Sequence, residues 1–269
     1  MGSKQFLAAT LCVLALAGTT GCSSSSQPAE NSSSHGPVRN LKTEIVATHP
    51  YDPHLFTQGI EVDGQDLLIG TGWYGESKIV RVPLADPAGR PSVEKHLPTN
   101  QFGEGIAQVG AHVWQLTWKE GIAYKRDART LEETAQARYP GQGWGLCAAG
   151  NQLFMSDGSA SLRVLNPETF AEAKRITVRD SRGTVDRLNE LECHGGKIYA
   201  NRFMTNEIVE IGPDGWVSAH IDASALPNRA TPDPNHVLNG IAALEGTDRF
   251  LLTGKRWPDM YEVRFVPAD

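Results

Sequence analysis

Five recurrences of one short motif, a strand-like run after each of them, and turn chemistry at regular intervals predict an all-β chain folded as a five-bladed β-propeller. The motif copies are Phe56-Thr57-Gln58-Gly59-Ile60, Phe102-Gly103-Glu104-Gly105-Ile106, Gln142-Gly143-Trp144-Gly145-Leu146, Leu188-Asn189-Glu190-Leu191 and Leu238-Asn239-Gly240-Ile241. With Gln58, Glu104, Trp144, Asn189 and Asn239 as equivalents, the steps are 46, 40, 45 and 50 residues. Residues 42–267 then divide into five units of about 45 residues, the size of a propeller blade.

The elements follow in order. Thr43–Thr48 alternates like a strand but precedes the first motif, so it is expected to complete the last blade as its outer strand and close the ring. Each motif is followed by a turn and a second strand: Leu67–Gly70, His112–Thr117, Leu153–Ser156, Lys197–Asn201 and Arg249–Thr253. A third alternating run follows in each unit: Lys78–Leu84, Gly121–Arg126, Ser161–Asn166, Glu207–Gly212 and Met260–Val266. Asp63-Gly64, Gly150-Asn151, Gly195-Gly196, Asn166-Pro167 and Gly212-Pro213-Asp214-Gly215 mark the turns between them. No amphipathic helical stretch competes. The expectation is four-stranded antiparallel blades around a central channel. Ala225–Val237, rich in Pro and Asn and without strand signals, is expected to form a rim loop that shapes access to that channel.

The first residues stand apart from the fold. Lys4, the apolar run Phe6–Ala17 and Gly18-Thr19-Thr20-Gly21-Cys22 read as a secretory signal over residues 1–21 ending in a lipobox, with Cys22 lipidated and Thr19 where Leu is usual. Residues 22–41, Ser-rich and unable to bury a core, suit a flexible tether. The expectation is an exported, lipid-anchored envelope protein, working as a monomer. A formal net charge of −6 without a basic run excludes nucleic acid as the main partner. Eight scattered histidines without a His-x-x-x-His pair leave a local zinc site unsupported. Export permits a disulfide between Cys147 and Cys193, and two buried thiols are equally compatible with the sequence.

In a propeller the innermost strands line the channel, so the five motif copies each present a residue to one axial cavity. Crowding near the axis explains the glycines. It does not explain why their neighbours are Gln, Glu, Trp, Asn and Asn, which an interior of purely structural purpose would avoid. Glu104 is the one acid in that column and the candidate proton-transferring residue.

These motifs, with Gln115-Leu116-Thr117-Trp118-Lys119, Met155-Ser156-Asp157-Gly158-Ser159 and Thr253-Gly254-Lys255-Arg256-Trp257-Pro258, resemble in order the plant/bacterial type of glutaminyl-peptide cyclotransferase. The resemblance implies a five-bladed propeller that cyclises N-terminal glutaminyl residues of peptides to 5-oxoproline with release of ammonia, using neither cofactor nor metal. It carries Glu104 over as general acid/base and Trp118 and Trp144 as aromatic walls. It makes Gln58, Asn189, Asn239 and Lys255 polar substrate-binding positions, with Asn189 on the substrate amide. Lys255 either stabilises charge on the γ-carbonyl oxygen or orients Glu104. Glu190, as a partner of Lys255, and Trp257 are secondary candidates. Two positions depart from the family pattern: Gln142 stands where an acid is common, and Phe203 where Trp is common.

Two other classes compete. A lactonase-type propeller would hold calcium with Glu104, Asn189, Asn239 and Asp157, but hard cations take several oxygen ligands and this column offers one carboxylate and a tryptophan. A non-catalytic peptide-binding envelope propeller would use the same aromatic channel, and activity alone separates it. No Gly-x-Ser-x-Gly elbow or phosphate loop is present.

Overall fold

The computed structural model describes residues 35–268. The expected leader, Cys22 and most of the tether lie outside the described residues. Strands are the regular structure throughout, and among the described residues no helix occurs. Three four-stranded antiparallel sheets begin at Thr57–Asp63, Gly103–Val109 and Leu146–Ala149, and each runs outward through three further strands in sequence order. The remaining long strands form one eight-stranded sheet, and Arg179–Asp180 pairs with Gly183–Thr184 in a small ribbon.

The eight-stranded sheet departs from the expected tally of separate blades. Leu188–His194, Lys197–Arg202, Glu207–Ile211 and Val217–Asp222 form one antiparallel meander. Leu238–Ala243, Arg249–Gly254, Asp259–Pro267 and the N-terminal strand Arg39–Pro50 form another. The two fuse because the first strand starts at Arg39, before the expected Thr43, and its residues Arg39–Lys42 pair in parallel with Ala219–Asp222. Thr43–Thr48 pairs antiparallel with the C-terminal strand, next to which the alternation placed it.

Both faces of the inner two strands of each sheet are buried, so alternate residues pack in opposite directions. Leu67 and Ile69 join Ala242, Leu251 and Met260 on one side, while Leu68 joins Ile106 and Val113 on the other. The core is accordingly divided into five clusters, each between neighbouring sheets or meanders. The outermost strands are polar, as in Glu133–Arg138 and Glu172–Thr177, which protects their open edges from pairing with other chains. The first strands contact one another in a closed cycle: Thr57–Asp63, Gly103–Val109, Leu146–Ala149, Leu188–His194, Leu238–Ala243 and back.

Where four of the motif copies lie, the ladder slips. The register shifts between Thr57 and Gly59, Gly103 and Ile106, Leu188 and Leu191, and Leu238 and Ile241. A bulge of this kind releases the motif residues from strict alternation and re-aims them. Free backbone groups are then taken up across the cycle. Gly105 N donates to Trp144 O at 2.7 Å, and Ser156 Oγ donates to Asn189 O at 2.6 Å. Gly240 N donates to Asn201 Oδ1, and Asn239 Nδ2 to Thr57 O, both at 3.0 Å. Cys147 and Cys193 form a disulfide, Cα atoms 5.4 Å apart, which joins the third sheet to the next meander.

The glycines flanking Glu104 and Trp144 serve this close approach. A Cβ on Gly105 would stand 2.7 Å from Trp144 O and 2.8 Å from Gly145 Cα, and one on Gly145 would run into the Asn189 carbonyl. Gly105→Ala is therefore expected to cost about 1–3 kcal/mol through overpacking. At about 2–4 °C per kcal/mol for a chain of this size, a fall in the melting temperature of roughly 2–12 °C checks it by calorimetry.

Candidate active site

Four of the five motif residues converge on a cavity of about 220 Å³ lined by Phe56, Gln58, Trp73, Phe102, Glu104, Trp118, Trp144, Asn189, Phe203, Asn235 and Lys255. Six of the residues singled out in the sequence thus share one cavity: Gln58, Glu104, Trp118, Trp144, Asn189 and Lys255. Two columns of the repeat supply them. The first is the motif itself. The second is the residue that leaves the second strand of a unit, occupied by Trp118, Phe203 and Lys255 after strands ending at Thr117, Arg202 and Gly254. In the first unit this column holds Gly72, which makes room for the Phe102 ring, and the aromatic is displaced by one to Trp73.

Asn239 does not line the cavity. Its amide donates to Thr57 O and to Gln58 Oε1 at 3.2 Å, so it holds Gln58 from behind. Glu190 likewise forms no ion pair with Lys255. Its two oxygens accept Ile60 N at 3.4 Å and Ile241 N at 2.9 Å, a clasp between first strands. Trp257 is core, 2% exposed, with its indole N–H on His236 O. Asp157 accepts from Ser159 and faces Arg163, so two of the four groups conscripted for a calcium site, Asp157 and Asn239, are engaged elsewhere.

Glu104 is 4% exposed, and its Oε2 has no hydrogen-bond partner among the described residues. Burial drives its carboxyl pKa well above the usual carboxylate range; the nearby Lys255 charge pulls it back and Glu120 pushes it further up. Lys255 is equally enclosed. Burial lowers its pKa to about 8, against the pull of Glu104. Its ammonium lies 5.0 Å from the Phe56 ring centroid and 5.1 Å from that of Phe203, so two aromatic faces replace water around the charge. Among the described residues it forms no direct ion pair, which leaves its N–H donors for a ligand.

The tryptophan walls are oriented by a residue whose type departs from the family pattern. Gln142 Oε1 accepts the indole N–H of Trp118 at 2.7 Å and that of Trp144 at 3.0 Å. Both partners are donors only, so the amide oxygen is the atom that faces them. Phe203 meets Trp144 edge to face at 5.3 Å, and Gly158 lies against the Trp144 ring where a Cβ would clash. From the rim loop, Asn235 reaches the cavity, while Arg229 ion-pairs with Asp259 and anchors the loop.

The lining residues not among the sequence-derived candidates are Phe56, Phe102, Trp73 and Asn235, whereas Phe203 stood out in the sequence as a departure from the family pattern. The two Phe residues were visible as the constant aromatic ahead of the first two motif copies. Trp73 carried no repeat signal, because of its one-residue displacement. The arrangement presents one protonatable carboxyl, one ammonium and a few amides inside an aromatic cup, a setting for proton transfer and charge stabilisation on a small polar group.

The chain resembles known proteins in both sequence and fold. A family described as glutamine cyclotransferase matches residues 13–265. The chain is 34% identical over 232 residues to a glutaminyl-peptide cyclotransferase of Arabidopsis thaliana, covering 84% of this chain and 72% of that one. Its fold superposes on a crystal structure of Myxococcus xanthus glutaminyl cyclase with a TM-score of 0.80 and 33% identity, over 87% of this chain and 100% of the other.

Proposed function

The chain belongs to the glutamine cyclotransferase family and has glutaminyl-peptide cyclotransferase activity, and on that premise we propose that Glu104 carries the proton in ring closure at the axis of a five-bladed propeller. The observation that carries this reading is the enclosure of Glu104, one oxygen unpartnered, between aromatic walls and opposite a buried ammonium. The two meanders of the eight-stranded sheet count as two blades joined by the short parallel pairing. The closed cycle of first strands and the five core clusters support that count.

In the reaction the substrate α-amine nitrogen attacks the carbon of its own γ-carboxamide, a C–N bond forms, and the original C–N bond breaks to release ammonia. The attacking nitrogen sheds a proton and the leaving nitrogen gains one. A protonated carboxyl has a donor on one oxygen and an acceptor on the other, so Glu104 can give one proton and take one with no net change in its charge. That suits a group whose protonated form burial favours. The Lys255 ammonium offers its N–H groups to the γ-carbonyl oxygen as negative charge develops there. Asn189 and Gln58 hold the carboxamide, and the walls curl the side chain into ring-closing geometry.

Incubation with a peptide bearing N-terminal Gln is expected to release one ammonia per free α-amine lost, with or without chelator. Absence of turnover favours the binding-propeller reading, and loss with chelator favours the metal reading. Within this scheme Gln142→Leu is expected to reduce kcat/KM about tenfold, mainly through KM, since two indole N–H groups lose their shared acceptor. Gln142→Glu keeps an acceptor oxygen for the two indoles and is expected to retain most of the activity. The leader sequence and Cys22 support an exported, lipid-anchored placement. Labelling by a radioactive fatty acid that disappears in Cys22→Ala tests it.

A further inference from the structure

We propose that Trp73 and Tyr74, at the mouth of the cavity, bind the residue that follows the N-terminal glutamine, so that the enzyme favours peptides with an aromatic or large apolar second residue. The inference rests on the cyclotransferase reading of the cavity. A volume of about 220 Å³ equals roughly seven water volumes, room for one glutaminyl residue. The rest of the peptide leaves through the mouth.

At that mouth the aromatic lining continues outward. Phe102 sits 5.6 Å from Trp118 inside the cavity and 5.3 Å from Tyr74 outside it, and Trp73 sits 5.1 Å from Phe56. Trp73 both lines the cavity and is 43% exposed, and its neighbour Tyr74 is 47% exposed. Two adjacent large rings left in water beside a peptide site mark a surface that a ligand covers.

The shelf is also held at a cost. Trp73 has φ 94°, a left-handed conformation that a bulky non-glycine residue rarely adopts and that persists only where its surroundings impose it. Its carbonyl accepts Glu76 N at 3.0 Å, Ser77 N at 2.9 Å and Ser77 Oγ at 2.7 Å, which locks the turn. The Tyr74 hydroxyl donates to Glu120 Oε1 at 3.0 Å and fixes the second ring. Core packing alone needs no strained tryptophan with nearly half its surface in solvent. A face for stacking the next side chain does.

The test is the ratio of kcat/KM for Gln-Phe and Gln-Gly peptides of otherwise identical sequence. The wild type is expected to favour the Phe peptide roughly tenfold, the gain of an aromatic stack with its buried area. Trp73→Ala and Tyr74→Ala are expected to shrink the ratio to within about twofold. Tyr74→Phe, which keeps the ring and loses only the hydroxyl, is expected to keep it. A wild type that treats both peptides alike, or a ratio unchanged in both alanine variants, overturns the subsite and leaves the cyclotransferase reading intact. Failure of the wild type to cyclise either peptide overturns that reading and the subsite together.

Discussion

Glu104→Gln is expected to lower kcat by about 10²–10⁴-fold, the usual span for a general acid–base group, while the protein stays folded and becomes more heat-stable above pH 4.5. Gln matches Glu in size, so the aromatic cup keeps its packing. It offers an N–H donor and a carbonyl acceptor but no transferable proton, so binding survives and proton relay is lost. The stability change follows from the raised carboxyl pKa, whose unperturbed value is 4.5. Above that pH the folded state holds a proton that the unfolded chain has released. The contribution of Glu104 to stability therefore declines as pH rises from 4.5 toward its folded-state pKa, by about 1.4 kcal/mol per pH unit. The glutamine variant lacks that penalty. Its melting temperature is expected to exceed the wild type's at pH 7 by at least a few degrees and to match it near pH 4. A variant less stable than wild type at pH 7, or one with wild-type kcat, contradicts the assignment.

Lys255→Met is expected to cost about 10²–10³-fold in kcat, the scale for removing one donor to a developing oxyanion. Methionine fills the space between Phe56 and Phe203 without the charge, so the loss reports chemistry more than packing. The pH profile separates this role from a structural one. With its pKa near 8, Lys255 loses its proton in the mildly alkaline range, and wild-type kcat/KM is expected to fall as pH rises through about 8. Lys255→Arg, charged throughout that range, is expected to keep partial activity and to move the alkaline fall upward. An alkaline fall that stays near pH 8 in the arginine variant assigns it to another group.

The sequence indicated most of the cavity lining because four of the five repeated motif residues face it. Gln58, Glu104, Trp144 and Asn189 recur at blade spacing, and Trp118 and Lys255 fall in the matching column one strand later. Asn239 shows the limit of a column. It belongs to the repeat, yet the last first strand lies against Thr57, and the nearest unpaired groups are Thr57 O and Gln58 Oε1 rather than the cavity. Glu190 falls in the glycine column and was expected to pair with Lys255. Instead its carboxyl oxygens accept the N–H groups of Ile60 and Ile241. The fusion of two meanders was not legible, since it rests on four residues, Arg39–Lys42, whose parallel pairing leaves no alternation to read. In sequence Gln142 is only a departure from a common acid, whereas its carbonyl oxygen joins the two indoles, a contact that depends on three-dimensional convergence alone.

In the proposed relay Glu104 sits in the cup with its proton bound, ready to give and take. Infrared difference spectra of wild type minus Glu104→Gln, collected across a pH titration, isolate its carboxyl C=O stretch from those of Glu190 and the other buried acids. A neutral-carboxyl band that persists well above pH 4.5 and shifts when a Gln peptide analogue binds is the predicted result. A band lost at pH 4.5 or below would mean an ordinary ionised carboxylate at that position, and would contradict the proton relay proposed for this site.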